Sequence, residues 1–131
     1  TEDLQQAMAN RMAIEFAGAT GRKVILWSLG TNDFGFNIDP ATMKNKALAT
    51  WDKAKALIPD VEVFILTPIY RGDKDEPNRG GWILRDYHDA FVEIAGLRTW
   101  VTAYDGIPIR DPATDLTEPL HSNDHVHPYI A

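Results

Sequence analysis

At 131 residues the chain is long enough for one domain with a real core, and it carries a formal net charge of −6 with no Lys/Arg cluster. That charge argues against a nucleic-acid partner, and the absence of cysteine excludes disulfides and thiolate metal sites. No apolar run approaches the roughly 18 residues of a membrane span; no signal peptide is visible, but the sequence opens inside a helix-like pattern at Thr1, which leaves its true start and the compartment open.

Thr1 reads as a helix cap, with Glu2 and Asp3 in the first turn. Leu4, Met8, Met12 and Phe16 recur every fourth residue, flanked by Ala7 and Ile14, which predicts an amphipathic helix ending near Gly18 or Gly21. The methionines are core fillers. An apolar run over 23–29 then predicts a strand of the kind buried on both faces, with Ser28 inside it as a structural residue. Gly30 ends that strand, placing Asn32 and Asp33 just beyond its carboxyl end, where open α/β sheets bind ligands. By turn chemistry alone, Thr31-Asn32-Asp33 is an ordinary polar exit.

Phe34 to Asp39 reads as a loop. Asp39-Pro40 starts a second helix, capped by Asp39, that runs to about Leu57 with Met43, Ala47, Leu48, Trp51, Ala54 and Leu57 inward. A second buried strand spans Val61–Leu66 and stops at Thr67-Pro68. Arg71–Gly81, rich in charge, Gly and Pro, predicts a mobile surface loop. A third helix covers about Trp82 to Ile94, closed by Gly96, with Ile83, Tyr87, Ala90, Phe91 and Ile94 as its apolar face. His88 on it is a surface or partly buried residue. A third strand spans Thr99–Tyr104, and Asp105–Leu120 is irregular.

Helices and strands therefore alternate, which predicts right-handed crossovers, a parallel sheet and helices on both faces. Three strands make a thin sheet, so further strands are expected from chain outside this sequence. Trp27, Trp82, Trp100 and Tyr129 have the character to stack on a sugar, though core packing is the ordinary role of such aromatics.

Three of the four histidines crowd the C-terminus. Asp124 lies three residues before His127, and Pro128 follows. A carboxylate so placed can hold one imidazole nitrogen and leave the other as a base. His121, His125 and His127, completed by Asp124, also have a spacing compatible with a metal. A solvated His-rich tail is the third reading.

Gly30-Thr31-Asn32-Asp33 after an apolar strand resembles the third conserved block of the SGNH, or GDSL-type, hydrolases. Asp124-His125-Val126-His127-Pro128 is similar to their last block, and Leu66-Thr67-Pro68 resembles the end of the intervening strand. The resemblance implies a three-layer α/β/α, flavodoxin-like SGNH hydrolase fold whose N-terminal strand or strands lie outside this chain. It implies that His127 is the general base, that Asp124 orients it, and that the Asn32 amide serves the oxyanion while Gly30 shapes the turn and Asp33 fixes it. No cofactor is expected.

The family's Gly-Asp-Ser block and the oxyanion glycine after it have no match here. Ser28 and Ser122 are the serines of the chain, and neither occupies the nucleophile's position. The resemblance thus implies an ester hydrolase acting on small-molecule or carbohydrate acyl or acetyl esters, with its serine on an N-terminal segment or second chain outside this sequence. A catalytically inactive SGNH-like binding or assembly domain and a His-rich metal-binding module are the alternatives.

Overall fold

The computed structural model describes residues 3–68 and 75–106. Its elements are α1 (Leu4–Glu15), β1 (Lys23–Trp27), α2 (Thr31–Gly35), α3 (Pro40–Leu57), β2 (Val61–Leu66), α4 (Leu84–Leu97) and β3 (Val101–Tyr104). The strands form one parallel sheet in the order β1-β2-β3, with Lys23 opposite Val61 and Val63 opposite Val101. The expected mixed α/β class and parallel neighbours are what the chain adopts.

Cap chemistry sets the helix starts. Asp3, not Thr1, caps α1, its carboxylate accepting from Gln5 N at 3.0 Å. Asp39 caps α3 as expected, accepting from Ala41 N at 3.0 Å, with Pro40 in the first turn. α4 starts at Leu84, where the Asp86 carboxylate accepts from Ile83 N at 2.8 Å. It runs through Gly96 to Leu97, and the Arg98 guanidinium then meets Asp52 of α3 through 3.0 and 2.9 Å bonds.

The core lies between the sheet and helices α3 and α4. Val61, Val63 and Ile65 of the central strand are fully buried, flanked by Ile25, Trp27 and Val101. Trp51 of α3 meets Trp27 edge-on at 5.3 Å and stacks on Phe91 of α4 at 6.3 Å. α1 lies along α3 with Ala9 fully buried at the crossing. Several inward assignments change. Leu4 and Ile14 are exposed, because the packed stripe of α1 is Met8, Ala9, Met12, Ala13 and Phe16. Leu57 is likewise exposed, and Ile58 takes its place in the core.

β1 and β2 are not buried on both faces among the described residues. Burial alternates along each, as the two-residue period of a strand allows. Leu26 is 80% exposed and Tyr104 54% exposed. With Phe64 and Leu66 they line an apolar groove on the face turned away from α3 and α4. Ser28 follows β1 rather than lying within it; it is exposed and borders the same groove.

Candidate functional site

The site is built outward from Gly30. Its φ of +110° belongs to glycine, and it is buried where the chain leaves β1. A Cβ there would stand 2.8 Å from Phe91 Cε2, 3.1 Å from Pro68 Cγ and 3.4 Å from Met43 Sδ. The turn therefore seats its backbone directly on α3, α4 and the end of β2. The Gly30 carbonyl then accepts from Phe34 N at 3.0 Å, opening α2 where the sequence predicted a loop from Phe34.

α2 has five residues and poor helix formers. It is held by what it packs on. Phe34 is buried and meets the Tyr87 ring edge-on at 5.7 Å. Asn32 sits on the opposite, exposed side of the turn, its carbonyl accepting from Phe36 N at 2.8 Å. Asp33 is half-buried beside Leu29, Met43 and Lys46, and its carbonyl accepts from Ile38 N at 2.9 Å. The structure thus brings Gly30, Asn32 and Asp33 together at the carboxyl end of β1.

Beside α2 lies a cleft of about 510 Å³ lined by Phe34, Gly35, Asn37, Glu76, Asn78 and Arg79. The segment after residue 75 was predicted to be mobile, but its described part is pinned. Asn78 Nδ2 donates to the Phe34 carbonyl at 2.9 Å and to the Tyr87 hydroxyl at 3.0 Å. Its Oδ1 accepts from Gly80 N at 2.9 Å and Trp82 N at 3.2 Å. Arg79 N donates to Asn37 Oδ1 at 2.7 Å, and Asn37 itself has a φ of +59°. The Tyr87 hydroxyl donates in turn to the Ile38 carbonyl. Burial pushes the Tyr87 phenol above its ordinary range; the bond from Asn78 works against that, and the charges of Asp33, Asp39 and Asp86 add to it. Sequence reading passed over Asn78 and took Tyr87 only as core.

His88 is buried, not on the surface. Its Nδ1 lies 2.7 Å from Asp89 Oδ1, and its Nε2 lies 3.3 Å from Asp105 Oδ1 without hydrogen-bond alignment. Next to it Gly106 N donates to Thr67 Oγ1 at 2.8 Å, fixing the chain as it leaves β3. Trp27 is core, whereas Trp82 and Trp100 are half-buried, with Lys55 Nζ 5.2 Å from the Trp100 ring. His127, Asp124, His121, His125, Ser122 and Tyr129 lie outside the described residues, as do 71–74 of the predicted loop. Among the described residues no cluster of three His, Asp or Glu side chains could hold a metal ion. Among them, too, no helix is long and apolar enough to cross a membrane.

This arrangement defines the class at the level of fold: an α/β domain with a parallel sheet and a polar turn at the carboxyl end of its first strand. No family description matches the chain, and no curated protein matches its sequence. Among solved structures it is similar to the salicylyl-acyltransferase SsfX3 from a tetracycline biosynthetic pathway, with a TM-score of 0.71 and 18% identity over 95% of this chain and 36% of that one. A second crystal structure is similar with a TM-score of 0.67 and 18% identity over 88% of this chain and 62% of that one. The chain therefore spans less than two thirds of either neighbour's length.

Proposed function

We propose that this chain supplies the oxyanion donor and the general base of an SGNH/GDSL-type acyl-ester hydrolase. The observation that carries the reading is the placement of Asn32: exposed, on a turn locked against the core, directly beyond the carboxyl end of β1. A donor for a developing oxyanion needs that combination of access and rigidity. In the proposed reaction a serine from outside these residues attacks the ester carbonyl and His127 takes its proton. The Asn32 amide donates to the oxygen that becomes negative. Collapse breaks the acyl–oxygen bond, and His127, oriented by Asp124, returns the proton to the leaving alcohol. Water then repeats the sequence on the acyl-serine.

A second reading replaces that water with an alcohol acceptor. It is favoured by the structural likeness to a protein described as a salicylyl-acyltransferase. Both readings share the residues above and differ only in what attacks the acyl-serine.

The test is to assay a short chromogenic ester with the chain alone and with its upstream or partner segment. Activity confined to the second preparation, lost in His127→Ala, supports the proposal. Full activity from the isolated chain would shift the nucleophile to Ser122. No activity in either would leave the binding-domain alternative standing. Product analysis with added alcohol separates hydrolysis from transfer.

A further inference from the structure

We propose that Asn78 is a positioning residue that sets the α2 turn, and through it the Asn32 amide, from the far side of the adjoining cleft. The inference rests on the oxyanion role assigned to Asn32. Asn78 uses both ends of its side chain. Oδ1 shapes its own loop by accepting from Gly80 N and Trp82 N, whereas Nδ2 crosses to α2 and α4 by donating to the Phe34 carbonyl and the Tyr87 hydroxyl. Phe34 is two residues from Asn32 in a helix of five residues. So short a helix cannot hold its own geometry.

The Phe34 carbonyl already accepts from Asn37 N at 3.2 Å, so the Asn78 donor is its link to the neighbouring loop. The Tyr87 hydroxyl completes a closed path, from Asn78 to Tyr87 to the Ile38 carbonyl, with Ile38 N returning to the Asp33 carbonyl at 2.9 Å. The turn that carries Asn32 is thus bracketed at Phe34 and at Ile38 by one side chain and its phenol partner. Glu76 and Arg79 line the same cleft as Phe34 and Gly35, so a substrate seated there lies against both the pinned turn and the loop that pins it.

Two variants separate this role from a purely structural one. Asn78→Asp keeps the acceptor that shapes the loop and removes the donors to Phe34 and Tyr87; Asn78→Ala removes both. Amide hydrogen exchange on the chain should speed up about tenfold at Phe34, Phe36 and Ile38 in both variants, with Val63 in the central strand unchanged. In the ester-hydrolysing preparation kcat should fall about tenfold in both with KM held, and neither should lower it further in an Asn32→Ala background. Wild-type exchange in Asn78→Asp would overturn the proposal, as would equal acceleration at Val63 or a change confined to KM. An inactive wild-type preparation would sink the role of Asn32, while exchange would still decide whether Asn78 sets the turn.

Discussion

Replacing Gly30 with alanine tests the geometry on which the whole site rests. Two costs arise. A residue with a Cβ at a φ of +110° is strained, worth roughly 1–3 kcal/mol. The new carbon would also stand 2.8 Å from Phe91 Cε2 and 3.1 Å from Pro68 Cγ. Phe91 is fully buried and stacked on Trp51, so it has little room to move; overpacking of this kind costs about 1–3 kcal/mol. The sum is about 2–6 kcal/mol, or a fall in Tm on the order of 10 °C or more for a domain of this size. Gly18 is the control: its φ is +77°, but nothing lies within 4 Å of its Cβ position. Gly18→Ala should therefore show backbone strain alone, about 1–2 kcal/mol. Urea melts followed by tryptophan fluorescence measure both. If Gly30→Ala is no more destabilising than Gly18→Ala, the close seating of the turn on Phe91 and Pro68 is wrong.

Asn32→Ala should lower kcat by roughly 10²–10³ in the active preparation; because the side chain is exposed, the urea midpoint should stay within error. Asp39→Ala removes the cap of α3 and should cost about 1 kcal/mol in a urea melt. Ala9→Leu should force α1 off α3 at a cost of about 1–3 kcal/mol, seen as a lower Tm. Asp3, Asp60 and Glu62 are held below the ordinary carboxylate range, first by hydrogen bonds from Lys53, Lys23 and Arg22. A depressed folded-state pKa means that their stabilisation is complete above the ordinary value and is lost as pH falls through the depressed one. The urea midpoint should therefore drop below about pH 4, and the slope should flatten in Asp60→Asn.

The alternation of helix and strand was legible because each strand is largely apolar, α3 opens on Asp39-Pro40, and α1 and α4 carry apolar residues at helical spacing. What sequence could not show was which strand face is covered. Leu26 and Ile25 are equally apolar, yet one is 80% exposed and the other 7%. α2 escaped notice because nothing in Thr-Asn-Asp-Phe-Gly favours a helix; burial of Phe34 against Tyr87 makes one. Asn78 escaped for another reason. Its partner at Phe34 is a backbone carbonyl 44 positions away, and a carbonyl leaves no mark in a sequence. Gly30-Thr31-Asn32-Asp33 stood out through its resemblance to a family block, since turn chemistry alone makes it an ordinary polar exit, and the structure adds why the first of them must be glycine.

The strand order follows the chain order, and this has a kinetic consequence. Lys23 meets Val61 and Val63 meets Val101, so the two pairings close loops of equal length. Loop-closure entropy is therefore spent in two equal instalments, each followed at once by the docking of its crossover helix. Among the described residues, no strand waits for a later one to be inserted between it and its neighbour. The sheet can grow by addition at one edge in the direction of synthesis, with β2 laid on β1 while β3 is still being made.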